Sequence, residues 1–361
     1  MSGAKQRHAF LDWKAIVGVL LGAALLAFSL RGVDLRSVLA EIRRADPWLF
    51  LASIAFATAP ILVRAWRWKS LLEPVRKGTS FQARFRATAI GFMANNVLPA
   101  RIGEFARAYA FSKMERVPVV ASVASLVVER LFDGVVVVAL LLIPMALPGF
   151  PAVDSLGRQD PRAAATTMIV ILGAILLVAL AMVLRPQVIM RVTESVANRV
   201  LPVRLREPFL RALEAFLDGL GSLRDPMILV RAGFWSIWVW MSMAFAFWLG
   251  FLAFDIHVPF TAAMFLQSLI ALAVALPAAP GFFGLWEAAA RIGLVDIWGV
   301  ELDKALGFAI GFHLGGFLSV TLLGLYFAWR LGLSFSEMGQ GEEELSGDDV
   351  RAAHKRPGER V

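Results

Sequence analysis

The sequence predicts an all-α integral membrane fold, with about six full spans and two broken or re-entrant helical hairpins arranged as an inverted repeat. Three observations carry this. Hydrophobic residues make up 58% of the 361-residue chain, well above the roughly 45–50% of soluble domains, and mean hydropathy is +0.69. Runs without Asp, Glu, Lys or Arg recur at 15–30, 165–184 and 306–329. At 1.5 Å rise per helical residue such runs reach across a hydrocarbon core of about 30 Å. Two further apolar stretches are interrupted by Pro and Gly, each placed before the last span of its half.

In chain order, the spans expected are 14–30, 48–63, 119–147, 165–184, 229–254 and 305–329. The first follows a charged N-terminal segment, and no small-residue cleavage site follows Leu30, so it reads as a retained span rather than a signal peptide. The interrupted stretches are 87–111 and 263–294. The first contains Asn95-Asn96-Val97-Leu98-Pro99-Ala100-Arg101-Ile102-Gly103-Glu104, the second Leu276-Pro277-Ala278-Ala279-Pro280-Gly281-Phe282-Phe283-Gly284. Pro and Gly break the helical hydrogen-bond ladder. Such breaks are tolerated at membrane depth only where protein or a water-filled cavity surrounds them.

Loop charges set the expected orientation. Loop 64–86 carries Arg64, Arg67, Lys69, Arg76, Lys77, Arg84 and Arg86 against Glu73, and loop 185–226 carries seven Lys and Arg; both are expected on the cytoplasmic side. Loops 148–164, 255–262 and 296–304 are poor in Lys and Arg and are expected outside. For these sides to alternate, each interrupted stretch must enter and leave on one side, as a hairpin. Three spans and one hairpin then make up 14–147 and again 165–329, with opposite sidedness. Broken segments at matching places in inverted halves point to a transporter's binding site.

Residues 1–330 are thus expected to form one membrane domain, with both termini cytoplasmic and the protein resident in a bacterial inner membrane. Within the connector 185–226, Phe209, Leu210, Leu213, Phe216, Leu217 and Leu220 recur at helical spacing beside Arg206, Arg211 and Glu214, which reads as an amphipathic interfacial helix. The tail 331–361 is polar and acidic and is expected to be disordered.

Several chemistries are excluded or disfavoured. Cysteine is absent, so disulfides, thiolate metal sites and a cysteine nucleophile are excluded. His8, His257, His313 and His354 are scattered, so no metal or other cofactor is expected. The net charge of +8 matches anionic lipid headgroups rather than nucleic acid.

Ionisable residues inside spans are costly, by about 2.5–3.5 kcal/mol on insertion scales. Glu129, Arg130 and Asp133 stand in the otherwise apolar stretch 125–138, with Glu129 and Asp133 on one helix face. Either the span begins near Leu131 and these residues anchor it at the interface, or they form an ion pair or a site within the bundle. Arg101, Glu104 and Arg107 follow the first break; Glu104 can pair with Arg107 or Arg101 at helical spacing. A helix start flanked by arginine suits a phosphate or carboxylate. Asn95 and Asn96 read equally as headgroup ligands or as caps for the broken backbone. Glu287 and Arg291, four apart after the second break, read as a second polar site or as a salt bridge holding the hairpin. Trp235, Trp238, Trp240 and Trp248 read as an aromatic belt. His313, among glycines, reads as a hydrogen-bonded packing residue or a proton relay.

Taken together, Arg64-Ala65-Trp66-Arg67-Trp68, Asn95 to Glu104 with Arg107-Ala108-Tyr109, Val127-Val128-Glu129-Arg130-Leu131-Phe132-Asp133-Gly134, and Leu276-Pro277-Ala278-Ala279-Pro280-Gly281 with Glu287 resemble the lysylphosphatidylglycerol synthase transmembrane-region family. That family is also called flippase-like or UPF0104. The resemblance covers about residues 14–330. It implies a membrane region that moves a lipid between leaflets, while in full-length synthases a separate soluble domain performs aminoacyl transfer. Arg101, Glu104, Arg107, Glu129, Arg130 and Asp133 match the family pattern.

The expected function is a lipid translocase with no enzymatic activity of its own. Its substrate is expected to be an anionic or aminoacylated phospholipid, a hopanoid or a glycolipid, and a lipid-modifying enzyme is a possible partner. No Walker-type loop occurs, so the drive is expected from an ion gradient or downhill flux. The alternatives are an integral-membrane transferase using Asp34 or Glu104 as base, and a non-catalytic scaffold.

Overall fold

The computed structural model describes residues 20, 23–32, 34–73, 75–98, 102–151, 185–200, 225–275 and 280–333, with positions 202, 206, 207, 209, 210, 213, 214 and 217. Among the described residues the regular structure is helical, with no strand. Residues 23–29, within the expected first span, are helical. The expected span 165–184, the tail beyond Leu333 and most of loop 148–164 lie outside the described residues.

Helix α1 (Leu35–Arg44) begins at Asp34, whose carboxylate accepts from the Arg36 amide at 2.9 Å. Helix α2 (Pro47–Thr58) begins at Asp46, which accepts from the Trp48 and Leu49 amides. Aspartate caps followed by Pro at the first helical position satisfy amides that a helix start leaves open. Helix α3 (Pro60–Leu72) follows after Ala59, so the chain is helical from Pro47 to Leu72, long and apolar enough to cross a membrane. This corrects the expected span 48–63. Arg64, Arg67 and Lys69 belong to α3 rather than to a loop, and Arg64 and Arg67 are buried. Arg84, also expected in that loop, is buried too; its guanidinium donates to the Thr79 carbonyl, to Thr79 Oγ1 and to the Ala65 carbonyl.

The first interrupted stretch is a helical hairpin of α4 (Phe81–Val97) and α5 (Gly103–Glu115). Glycines let the two helices touch: a methyl group on Gly91 would lie 2.7 Å from the Gly103 carbonyl oxygen and from Arg107 Cβ. Asn95 Oδ1 accepts from the Gly103 amide at 2.8 Å, closing the break. At the other end the Ser80 amide donates to Glu115 at 2.9 Å, so the hairpin returns to the end where it began.

Helix α6 (Val119–Ala146) is 28 residues long, with Glu129, Arg130 and Asp133 near its middle. Helix α7 (Pro186–Val200) occupies the start of the connector, and the described positions 206, 207, 209, 210, 213, 214 and 217 are also helical. Leu217 is buried there; Arg211, Phe216 and Leu220 lie outside the described residues. Helix α8 (Pro226–Ala253), capped by Asp225, is a second helix long and apolar enough to span.

The second interrupted stretch is α9 (Phe260–Ala273), a 3-10 turn at Pro280–Phe282, α10 (Leu285–Arg291) and a π-helical turn at Ile292–Ile297. Helix α11 (Leu302–Arg330) is the third apolar helix of spanning length. Gly281, Phe282 and Gly284 have φ of 70°, 62° and 89°, a left-handed conformation that costs Phe282 energy and glycine little.

Helix α8 packs on α2, α3, α6 and α9, and α11 packs on α1, α2, α4 and α10. One apolar cluster centres on Trp68, Leu71, Ile90, Met93 and Phe111. A second centres on Phe247, Phe251, Phe308, Phe312 and Trp286, whose tilted and edge-on ring pairs contribute about 0.5–1.5 kcal/mol each beyond area burial; a smaller third joins Val136, Leu140, Ala244 and Met264. Small residues allow the close approaches that membrane helices depend on: Gly315 faces Ile54 and Gly324 faces Met93.

Candidate functional site

Three helices bring seven charged side chains to one place. Arg64 and Arg67, three apart on α3, face Glu129 and Asp133, four apart on α6. Helix α5 adds Glu104 and Arg107. Arg64 Nη1 meets Asp133 Oδ2 at 2.6 Å and Glu129 Oε1 at 3.4 Å. Arg67 Nη1 meets Asp133 Oδ1 at 2.5 Å, and its Nη2 meets Glu129 Oε1 at 3.1 Å. Arg107 grips Glu129 with both terminal nitrogens, at 2.8 and 3.2 Å. Arg130 reaches Glu104, Glu129 and Asp133 at 3.1–3.3 Å.

Uncharged groups complete the cluster. Arg67 donates to Ser236 Oγ at 2.6 Å and Trp240 Nε1 donates to Asp133 Oδ1 at 3.1 Å, both from α8. The Arg107 guanidinium lies over the Trp68 ring at 4.1 Å, and Trp68 Nε1 donates to Ser125 Oγ. Gln267 of α9 donates to the Trp240 carbonyl. Trp240 is therefore a partner of the cluster, which corrects its place in the aromatic belt. Trp238, in contrast, is exposed.

Burial is graded. Glu129 and Arg67 are 0% exposed, whereas the side chains of Arg130 and Glu104 keep 39% and 33% of their surface. The pair Arg130–Glu104 is thus the open edge of a closed cluster. Four guanidiniums meet three carboxylates, leaving one positive charge in excess. Nε of Arg67, Arg107 and Arg130 and Oε2 of Glu104 are buried with no protein partner.

This geometry decides readings that the sequence left open. Glu129, near the middle of α6, is closed off by arginines and forms ion pairs within the bundle. Glu104 pairs with Arg130 rather than with Arg107, because Arg107 turns to Glu129. Asn95 caps Gly103, and Asn96 Nδ2 donates to Thr321 Oγ1 of α11 at 2.9 Å; both serve the fold. Arg101 lies outside the described residues. Asp34 caps α1.

Glu287 and Arg291 do not pair with each other. Glu287 accepts from the Gly284 amide at 2.7 Å and meets His313 Nδ1 at 2.6 Å. Arg291 Nη1 donates to the carbonyls of Phe28, Ser29 and Arg31. They are four apart, but α10 turns one toward α11 and the other toward the end of the helical stretch 23–29 and Arg31. Neither belongs to the seven-charge cluster.

The residues that sequence reasoning missed are Arg64, Arg67, Trp68, Ser236, Trp240 and Gln267. The i, i+3 spacing of Arg64 and Arg67 on a helix continuing from an apolar run was the available signal; counting them as loop charges hid it.

Buried helices carrying a paired charge cluster define a multi-pass integral membrane protein with an internal polar site. The family described as "Lysylphosphatidylglycerol synthase TM region" matches residues 15–324, and the chain belongs to that family. A UPF0104 membrane protein from Methanothermobacter thermautotrophicus is 24% identical over 315 residues, 82% of this chain and 87% of that protein. Glycosyltransferase AglD of Haloferax volcanii is 30% identical over 139 residues, 37% of this chain but only 22% of AglD. A further UPF0104 membrane protein, from Methanocaldococcus jannaschii, is 27% identical over 121 residues, 33% of this chain and 34% of that protein.

Proposed function

We propose that this protein is a lipid translocase that binds an anionic lipid headgroup at the charge cluster and moves it between leaflets, with no catalytic activity of its own. The carrying observation is the excess guanidinium in a buried cluster whose open edge is Arg130 and Glu104. A buried arginine surplus with donors lacking protein partners suits a phosphodiester, because guanidinium forks match its oxygens. Taking an isolated charge into hydrocarbon is costly, and a site that supplies opposite charge at depth lowers that barrier. Glu129 and Asp133 hold Arg64, Arg67 and Arg107 in place, while Arg130 exchanges Glu104 for the ligand. The hairpins α4–α5 and α9–α10 are read as re-entrant, six full spans surround them, and the acyl chains stay in the bilayer.

The likeness to AglD favours a second reading, in which the chain serves a lipid-linked sugar as a transferase or as the membrane part of one. A reconstitution assay separates the two. Vesicles holding the protein and an anionic phospholipid with a fluorescent headgroup are tested by external chemical quenching. Translocation predicts protein-dependent loss of protection that Arg130→Ala abolishes. Product formation from a sugar donor without headgroup movement would overturn it in favour of the transferase.

A further inference from the structure

Away from the charge cluster, the second hairpin sets a buried carboxylate against a buried imidazole of α11, and their hydrogen bonds fix their proton inventory. Glu287 is 2% and His313 7% exposed. His313 Nε2 lies 2.9 Å from the Gly281 carbonyl oxygen. A carbonyl only accepts, so Nε2 carries a hydrogen. His313 Nδ1 lies 2.6 Å from Glu287 Oε1, and two lone pairs do not stay that close, so a second hydrogen lies between them. Glu287 Oε2 accepts from the Gly284 amide. The pair therefore holds one proton more than a neutral imidazole beside a carboxylate.

The shared proton is tied to strained backbone. Gly281, Phe282 and Gly284 all have positive φ, and their turn is held by His313 through the Gly281 carbonyl and by Glu287 through the Gly284 amide. That turn packs against α4 of the first hairpin. Trp286 stacks on the imidazole at 5.0 Å and 13°, and Phe283 lies at 4.7 Å.

No other charge in the neighbouring described elements substitutes for the proton. Arg291, one turn past Glu287, is engaged by three carbonyls. Glu41 of α1 lies against Gly307, six residues before His313, and pairs with Arg44; Arg36 and Arg43 share that helix. On α11, Asp303 and Lys304 lie at the start and Arg330 at the end. Asp296 is in the π-helical turn beyond Arg291. On α4, Arg84 and Arg86 lie at the end far from the break, Arg84 holding Thr79 and Arg86 bonded to Gln82. On α8 the charge is Arg231, near its start. Helices α2 and α9 carry none.

We propose that Glu287 and His313 form a proton-binding site that latches the Gly281–Gly284 turn, and that its proton is the ion coupled to headgroup movement. Loss of the proton to solvent leaves lone pair facing lone pair and an uncompensated buried carboxylate. Both are unfavourable, so the latch opens and the turn leaves α4. The coupling half of this proposal rests on the translocation reading; the proton site itself does not.

The test uses the full chain, as wild type, Glu287→Gln and Arg130→Ala. Glutamine keeps each hydrogen bond: its oxygen accepts from Gly284, its amide donates to His313 Nδ1, and no proton can leave. In vesicles with an imposed pH gradient, wild-type headgroup movement is expected to change several-fold, and Glu287→Gln to run at one rate with and without the gradient. A Glu287→Gln response equal to wild type overturns the coupling. In parallel, nuclear magnetic resonance of ¹⁵N-histidine-labelled protein reads the site without transport. A far-downfield proton on His313 Nδ1 is expected in wild type and Arg130→Ala and absent in Glu287→Gln. It is expected to vanish as pH rises, together with faster hydrogen exchange at residues 281–284. A resonance and exchange rates that stay unchanged wherever the protein remains folded overturn the site. If wild type moves no lipid while the resonance titrates as described, the translocation reading and the coupling fail together and the proton site stands.

Discussion

At the scale of single residues, the molecule turns on Glu129. It is completely buried and accepts from Arg107 through both oxygens while also meeting Arg64, Arg67 and Arg130. Breaking a buried ion pair by removing one partner costs about 3–5 kcal/mol, since the other charge stays behind uncompensated. Glu129→Gln is therefore expected to lower the melting temperature sharply in detergent. A double change, Arg107→Leu with Glu129→Leu, is expected to recover part of that loss, because both charges leave together. Full additivity of the two single losses would contradict the direct Arg107–Glu129 pairing. Arg130 behaves differently. Its side chain is over one-third exposed, and such pairs contribute about 0–1 kcal/mol. Arg130→Ala is expected to melt close to wild type while losing headgroup movement, a separation of stability from function that Glu129→Gln does not give.

At the scale of elements, the first hairpin depends on glycines and one asparagine. Gly103→Ala would drive a methyl group into the Gly91 carbonyl and the Asn95 side chain, so α4 and α5 must part and carry Arg107 away from Glu129. Loss of expression as a folded, monodisperse protein is expected. Gly316→Ala, with open space around the new methyl group, is expected to be neutral or slightly stabilising, since alanine favours helix. Asn95→Ala leaves the Gly103 amide without its cap and is expected to cost about 0.5–2 kcal/mol, read as a lower melting temperature. In the loop after α8, the Lys304 ammonium, hydrogen-bonded at 2.8 Å, holds the Asp255 carboxyl below its ordinary value. A lowered carboxylate contributes its support above the unfolded value and loses it as pH falls through the folded one; the same bond raises the Lys304 ammonium above its ordinary value, so this clasp after α8 weakens in acid and again in strong alkali, when the lysine loses its proton.

At the scale of the whole molecule, sidedness is the prediction that bears on mechanism. The native chain has no cysteine, so single cysteines report cleanly. Lys77→Cys, at the open base of the first hairpin, is expected to label from the cytoplasmic face, and Glu301→Cys, before α11, from the opposite face. Labelling of both from one side would overturn the proposed inverted arrangement of the halves. The two hairpins also touch: the Pro280–Phe282 turn packs on α4, and Asn96 of α4 bonds to Thr321 of α11.

Much of the fold was legible because hydrocarbon imposes a one-dimensional rule. A stretch must be apolar and about 20 residues long, and composition along the chain reports that directly. Helices α6, α8 and α11 and both interruptions follow from it. The same rule misplaced Arg64, Arg67 and Arg84, because a count of charges along the chain assigns every arginine to water. Linear spacing likewise suggested Glu104 with Arg107 and Glu287 with Arg291, since neighbours on one helix are the only partners a sequence displays.

The amino-acid sequence by itself determined that the chain is a helical membrane protein broken at two places, and that Glu129 and Asp133 share a helix face. Only the tertiary structure decided what those carboxylates meet. Arg64 and Arg67 stand more than sixty residues away along the chain, and Ser236 and Trp240 more than a hundred away from the groups they contact. Charge pairing acts over a few ångströms of space and is indifferent to separation along the chain, so the cluster and the Glu287–His313 pair exist only once the helices have packed.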